Sequence, residues 1–481
     1  MDIGLIIGGA ERGAENGATF ERRNPVSGDV ATRAPAATVA DVKAAVAAAN
    51  AAFPAWSATG PSQRRNLLLE AARIMEARAG EFTRLMMEEI GATAPWAGFN
   101  VMLAAGMLRE AAGLTTQLTG QIIPTDKPGT MSMAVVRPAG VVLGIAPWNA
   151  PVILATRAIA TPLACGNTVI LKASEICPAT HQLIGKVLVE AGLPAGVVNI
   201  VTNAPADAAE IVAALVAAPE VRRVNFTGST KVGRVIAELA AKNLKPVLLE
   251  LGGKAPLVVL DDADLDAAVN AAAFGAFLNQ GQICMSTERL IVDERVADAF
   301  VEKLAAKASA LPAGDPREHV VLGSMVDLAA AERMDALMED AVAKGARLAA
   351  GGKRNGTIVE ATLLDRVTPQ MRIYSEESFG PVKSIIRVKG EDEAVRVAND
   401  SEYGLSSAVF SRNVSRAMAV AARIESGICH INGPTVNDEP QIPFGGVKSS
   451  GYGRFGGKWG IAEFTETRWI TIEDPNQHYP F

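Results

Sequence analysis

Cysteine and histidine are scarce in this chain, at four each, and aromatic residues make up only 5%. Cys165, Cys177, Cys284 and Cys429 lie far apart with no Cys-x-x-Cys pair, so reduced thiols are expected rather than a disulfide framework. His181, His319, His430 and His478 are equally scattered and lack metal-ligand spacing, so no metal site is expected. Basic charge is not in excess: 46 Lys and Arg face 52 Asp and Glu, for a net charge of −6. That balance leaves no footprint for nucleic acid or anionic lipid. One long uncharged run, Pro138 to Thr156, is broken by Pro147, Asn149 and Pro151. A buried strand–turn–helix unit explains it better than a membrane span, because irregular backbone exposed to lipid is costly. The opening Met1-Asp2-Ile3-Gly4 has neither a basic stretch nor a cleavage site, so a cytoplasmic location is expected.

What is present is a long, moderately apolar chain of 481 residues, 49% hydrophobic and 20% charged, which calls for two or three domains. Thr38 to Phe53 reads as a helix, with Thr38 as cap, Asp41 in the first turn, and Val39, Val42, Val46 and Ala49 at helical spacing. Arg64 to Gly91 reads as one long helix or two consecutive ones. Gly120 to Val136, rich in β-branched residues, reads as a hairpin-like excursion. From Gly140 short apolar runs alternate with helices. Strands are predicted at Val141–Ile145, Thr168–Leu171, Val197–Val201, Val224–Phe226 and Val247–Leu249, with helices near Thr180–Glu190, Ala206–Ala217 and Gly233–Ala241. A second series follows at Pro256–Leu260, Arg289–Val292, Lys383–Arg387 and Ser407–Phe410. Apolar runs flanked by helices imply parallel sheets, hence two α/β lobes with a cleft near Glu250–Gly253.

Several segments carry chemistry. Phe226-Thr227-Gly228-Ser229-Thr230-Lys231-Val232-Gly233 follows a strand and opens a helix, so its backbone N–H groups can face a phosphate. Glycine turns before helices are also common without a ligand, and the order is not the usual Gly-x-Gly-x-x-Gly. Lys172-Ala173-Ser174-Glu175 sits at a strand's carboxyl end, where a lysine and an acid can meet ribose or phosphate oxygens; a solvated turn is the plainer alternative. An acid there would repel a 2′-phosphate and favour NAD over NADP. Asn149, held between Pro147 and Pro151, suits a fixed oxyanion donor, a helix N-cap, or both. Cys165, Cys177 and Cys429 fit the role of small buried hydrophobes. Cys284 differs: Asn279-Gln280-Gly281-Gln282 precedes it and Ser286-Thr287 follows, a polar and permissive loop of the kind an accessible thiolate needs. Glu250 in Leu249-Glu250-Leu251-Gly252-Gly253-Lys254 offers a carboxylate base, and Glu376-Glu377 places two acids on a turn.

Together with Ala146-Pro147-Trp148-Asn149, Ser378-Phe379-Gly380-Pro381 and Pro443-Phe444-Gly445-Gly446-Val447-Lys448, these stretches resemble the aldehyde dehydrogenase superfamily over essentially the whole chain. The resemblance implies a Rossmann-like NAD-binding domain (1–116 and 138–248), an α/β catalytic domain (249–445) and a small β oligomerisation arm (117–137 and 460–481). It implies Cys284 as nucleophile, Glu250 as general base and Asn149 as oxyanion donor with the Cys284 backbone N–H. It also implies a cofactor site of Lys172 and Glu175 at the adenosine ribose, Ser229 at the pyrophosphate, Glu377 at the nicotinamide ribose and Phe379 near the nicotinamide. Trp148, Thr227, Gly228, Gly233 and Leu251 complete that site. NAD is expected over NADP, and a homodimer or homotetramer is expected.

The C-terminal Gly451-Tyr452-Gly453-Arg454-Phe455 lacks the glutamate that many members carry after the glycine-arginine pair. With Ile431 to Glu439 upstream, it is similar to the branch oxidising aromatic aldehydes: salicylaldehyde, vanillin and benzaldehyde dehydrogenases. An aliphatic or semialdehyde substrate is the alternative, and a non-catalytic NAD-binding protein a remote one. Ile153 and Arg157 recur with Asn149 on one helix face, so Arg157 is expected either to meet a ring oxygen or to form a structural salt bridge. Ile283, Met285, Asn437 and Phe444 are expected beside the substrate.

Overall fold

The computed structural model describes residues 1–476 and 478–481. Two large sheets dominate it. In the first, eight strands run in the order Ala10–Arg12, Leu5–Ile7, Val198–Val201, Thr168–Lys172, Val141–Ile145, Val221–Thr227, Val247–Glu250, Gly451–Tyr452. The five central strands are parallel and, Asn199 and Asn225 apart, buried and largely apolar in their middle, as suits a sheet covered by helices on both faces. The chain moves outward from Val141–Ile145 in one direction, then returns to lay Val221–Thr227 on its other side. That reversal is a topological switch point, where ligands bind beyond the strand carboxyl ends. The last strand, Gly451–Tyr452, pairs antiparallel with Val247–Glu250 and closes this edge of the sheet.

The second sheet has seven strands, in the order Arg347–Ala350, Thr362–Asp365, Val382–Val388, Thr287–Asp293, Ala255–Val259, Ser406–Phe410, Ile428–Ile431. A third, three-stranded antiparallel sheet joins Thr465–Ile472, Met131–Pro138 and Gln121–Ile123. Ile122, Met131, Trp469 and Ile472 are exposed on it.

The predicted α/β architecture and every predicted strand are found, within a few residues. The first helix spans Val39–Ser57, and Thr38 and Asp41 form a reciprocal capping box. Arg64 to Gly91 resolves into two helices, Pro61–Ala77 and Ala79–Ile90, the second ended by Gly91 in the left-handed region. The uncharged run Pro138–Thr156 is the strand Val141–Ile145, a turn, and the helix Pro151–Ala164. Among the described residues no helix is long and apolar enough to cross a membrane.

Candidate active site

The site is built where the strand Val247–Glu250 leaves the first sheet and the chain crosses to the second. Gly252 and Gly253 make that crossing. A Cβ at Gly252 would lie 2.9 Å from a Glu377 carboxylate oxygen, and one at Gly253 only 2.2 Å from the Cys284 carbonyl oxygen. Only glycine lets backbone pass between the two groups. Glu250 and Cys284 are thereby brought onto one cavity of about 360 Å³, with Asn149, Thr227, Gly228, Leu251, Glu377 and Phe379 in its wall.

The Cys284 loop is held in a costly conformation. Asn279 and Gln280 take φ of 49° and 55°, and Gly281 70°. Each non-glycine residue there costs about 1–2 kcal/mol, so the surroundings must fix it. Asn279 Nδ2 donates to the Asn149 carbonyl (3.1 Å), Gln280 Nε2 donates to the Ser324 carbonyl (3.0 Å), and Gln282 Oε1 accepts from Val326 N (3.0 Å). Asn149 Nδ2 in turn donates to the Gln282 carbonyl at 3.0 Å, and Trp96 Nε1 donates to the Asn149 carbonyl at 3.1 Å. The Asn149 side chain therefore reaches across to the cysteine loop and does not cap the following helix, whose N-cap position is Ala150.

Glu250 is buried and neither of its carboxyl oxygens has a hydrogen-bond partner. Burial pushes its pKa up to about 8; Arg157 opposes the rise, and Asp438 and Glu377 add to it. Cys284 is half-buried, and burial followed by Glu250 and Glu377 raises its pKa well above the usual thiol value. Glu250 and Glu377 thus add to burial in disfavouring the thiolate, and Arg157 opposes them. Cys165 and Cys177 are buried as expected, whereas Cys429 is exposed, because it lies on the strand Ile428–Ile431 at the open edge of the second sheet.

Glu377 Oε1 accepts from Gly253 N at 2.9 Å, and burial raises its pKa to about 7. Phe379, at φ 47°, meets the Trp148 ring edge-on with centroids 5.7 Å apart. The 376–381 turn is clamped from below. Glu288, second residue of the buried strand Thr287–Asp293, accepts from Lys254 Nζ (2.7 Å), Lys383 Nζ (2.9 Å) and Ser378 N (2.9 Å), while Lys254 Nζ also donates to the Glu376 carbonyl (2.6 Å). Burial opposes ionisation of Glu288, yet the two lysines hold its pKa below the usual range. Arg333 donates to the Glu377 and Ser378 carbonyls. Sequence reasoning missed Glu288, Lys383 and Arg333. The available signal for the first two was a charge at the second position of a strand that is buried along nearly its whole length.

A second, larger groove of about 610 Å³ continues from the first and shares Trp148, Thr227, Gly228 and Ser229 with it. Lys172 and Glu175 line it, joined at 2.9 Å; burial works against the Glu175 carboxylate but Lys172 keeps its pKa low. Ser229 is exposed and caps the helix Thr230–Lys242 by accepting from Val232 N. Gly233 lies one turn in, and a Cβ there would strike Leu251 at 2.4 Å, so it serves close packing of helix on strand. Val232 and Val235 are exposed along the apolar flank of the groove. A cation and a carboxylate at one end, a helix N-terminus in the middle and an apolar slot fit a dinucleotide.

Of the expected substrate neighbours, Ile153, Ile283, Met285 and Phe444 are buried in the core cluster on which Cys284 packs. Trp96 and Phe99, stacked at 5.6 Å, join that cluster and were not foreseen. Arg157 is buried, paired with Asp438, and stacked 4.1 Å from the Phe444 ring centroid; its Nη1 has no partner. Asn437 is exposed. Among the described residues no cluster of His, Cys, Asp or Glu could hold a metal ion.

Comparison with known proteins agrees with this geometry. The model of the aldehyde dehydrogenase family matches residues 12–470. Vanillin dehydrogenase of Pseudomonas fluorescens is 64% identical over 481 residues, 100% of either chain. Salicylaldehyde dehydrogenase of Pseudomonas sp. (strain C18) is 54% identical over 483 residues, again 100% of both chains. The crystal structure of a salicylaldehyde dehydrogenase from Pseudomonas putida G7 complexed with salicylaldehyde matches with a TM-score of 0.98 at 53% identity, covering 100% of each chain.

Proposed function

Because the chain belongs to the aldehyde dehydrogenase family, we propose that it oxidises an aromatic aldehyde of the vanillin, salicylaldehyde or benzaldehyde type to the carboxylic acid, with NAD as oxidant. The observation that carries this reading is the meeting of Cys284, Glu250 and Asn149 on one cavity beside a nucleotide-shaped groove.

The ionised fraction of Glu250 takes the Cys284 proton, and the thiolate adds to the aldehyde carbon. The resulting oxyanion is held by Asn149 Nδ2 and the Cys284 backbone N–H. A nicotinamide dinucleotide held by Lys172, Glu175, Ser229 and Glu377 would supply the oxidising power as hydride acceptor. The thiohemiacetal becomes a thioester on Cys284, and Glu250, free of any hydrogen bond, activates the water that releases the acid. A carboxylate at this position supports hydrolysis over transfer to coenzyme A.

Lys172 and Glu175 would hold the adenosine ribose, and the Glu175 carboxylate favours NAD by repelling a 2′-phosphate. Trp148, Thr227, Gly228 and Ser229 would line the pyrophosphate path, with Glu377 and Phe379 at the nicotinamide end. Trp96, Phe99 and Phe444 supply ring faces for an aromatic substrate. Arg157, whose buried Nη1 has no partner, would be the candidate to meet a ring oxygen. The small sheet containing Trp469 and Ile122 would pair with a second copy of the chain. The deciding experiment is initial NADH formation on benzaldehyde, salicylaldehyde, vanillin, hexanal and succinate semialdehyde, each with NAD and NADP. Preference for ring aldehydes is expected; preference for hexanal or the semialdehyde would overturn the substrate class. Equal effects of Arg157→Ala on hydroxylated and unsubstituted benzaldehydes would remove its part in recognition.

A further inference from the structure

Glu288 lines neither the catalytic cavity nor the nucleotide groove, and the chemistry above does not use it. It is buried on the strand that follows Cys284. Its Oε2 accepts from Lys254 Nζ (2.7 Å) and from Ser378 N (2.9 Å). Its Oε1 accepts from Ser378 Oγ (2.5 Å) and from Lys383 Nζ (2.9 Å). Lys254 directly follows Gly253, whose N–H donates to Glu377 at 2.9 Å, and its Nζ also donates to the Glu376 carbonyl at 2.6 Å. Ser378 stands between Glu377 and Phe379. One carboxylate therefore joins, by direct hydrogen bonds, the crossing that carries Glu250 to the turn that carries Glu377 and Phe379.

Neither turn is relaxed. Phe379 takes φ of 47°, a conformation disfavoured for so large a side chain. Gly253 passes so close to the Cys284 carbonyl that a Cβ would lie 2.2 Å from its oxygen. Arg289 Nε adds a hold on the crossing by donating to the Lys254 carbonyl at 3.2 Å. None of these bonds involves Lys172 or Glu175 at the other end of the groove. We propose that Glu288 is a positioning residue for the nicotinamide end of the cofactor: it fixes Glu377 and Phe379 against Gly253, hence against Cys284, and leaves the adenosine end untouched. A carboxylate suits this because its two oxygens take several donors at once while offsetting the buried lysine charge. The inference rests on the placement of NAD given above.

Two double variants isolate the bridge at constant buried charge, since each removes one acid and one lysine. Glu288→Gln with Lys383→Met keeps an amide oxygen that can accept from Lys254 Nζ and Ser378 N. Glu288→Met with Lys383→Met has nearly the same shape and no such acceptor. Losing hydrogen bonds to a charged group changes an equilibrium by about 10- to 100-fold. In the Glu288→Met pair we expect NAD to bind about tenfold more weakly by calorimetry and the NADH burst to slow about tenfold. Adenosine monophosphate, which lacks the nicotinamide end, should bind as in wild type. The Glu288→Gln pair should bind NAD within about twofold of wild type. Hydrogen exchange on the ligand-free protein should rise at 376–380 in the Glu288→Met pair and return towards wild type in the Glu288→Gln pair. Equal weakening of NAD and adenosine monophosphate, or exchange at 376–380 as slow as in wild type, would overturn the proposal. A wild-type protein that binds NAD no more tightly than adenosine monophosphate would instead defeat the placement of the nicotinamide. The exchange measurement needs no cofactor and would still decide whether Glu288 holds the turn.

Discussion

Glu250 is the residue whose environment is least comfortable and whose chemistry needs that discomfort. A base must be ionised to take a proton, and burial sets its pKa near 8, so thioester hydrolysis should accelerate as pH rises through about 8. Glu250→Gln should keep a stoichiometric NADH burst while slowing steady turnover about 100-fold or more, read by stopped-flow absorbance; an unchanged steady rate would remove Glu250 from the mechanism. The same shift has a stability consequence. Between the ordinary value of 4.5 and about 8, the folded chain holds a proton that the unfolded chain has lost, so stability falls as pH rises across that window. Glu250→Gln removes the titration and should raise stability at pH 8 by about 1–2 kcal/mol in urea unfolding. At the far end of the groove, Glu175→Ala should improve NADP use relative to NAD by about tenfold in kcat/KM. Cys284, Glu250 and Asn149, the residues proposed to react, were legible as candidates in the sequence because each sits in a short motif, and the structure brings them to one cavity. Arg157 and Asp438 were not legible as a pair, since 281 residues separate them and neither has a local signature of its partner. Trp96 escaped for the same reason: its indole matters through a bond to the carbonyl of Asn149, 53 positions away.

At the scale of elements, the active site is a crossing of two turns with no spare volume. Gly253→Ala would drive a methyl against the Cys284 carbonyl, and displacing the nucleophile by about 1 Å costs about 100-fold in rate. Activity should therefore collapse in Gly253→Ala while the far-UV spectrum stays that of the folded chain; near-wild-type turnover would show that the loop can relax. Strand positions were readable from apolar runs and turn residues, since the parallel strands are buried on both faces. The clamp beneath the 376–381 turn was not, because Glu288 and Lys383 lie on two neighbouring strands and Lys254 just ahead of a third, and only the strand register brings them together.

For the whole molecule, the small antiparallel sheet leaves Ile122, Trp469 and Ile472 uncovered together on one element. Trp469→Glu with Ile122→Glu should shift the mass in light scattering from an oligomer to a single chain, with the folded transition retained; an unchanged mass would place the contact elsewhere. The two-lobed plan followed from the two series of strands. The closure of the first sheet by Gly451–Tyr452 did not, because two residues carry no periodicity.

That late strand also sets a timetable for biosynthesis. Tyr452 and Gly451 pair with Leu249 and Glu250, and the Ser450 carbonyl receives the Leu251 N–H. Until Gly451 and Tyr452 have left the ribosome, the strand bearing Glu250 is a bare sheet edge, open to pairing with other nascent chains. Cys284 has already emerged by then, and the partner strand of Glu250 has not. Emergence of that two-residue strand both seals the edge and seats the carboxyl, so chains that stop short of Gly451 should aggregate before they can react.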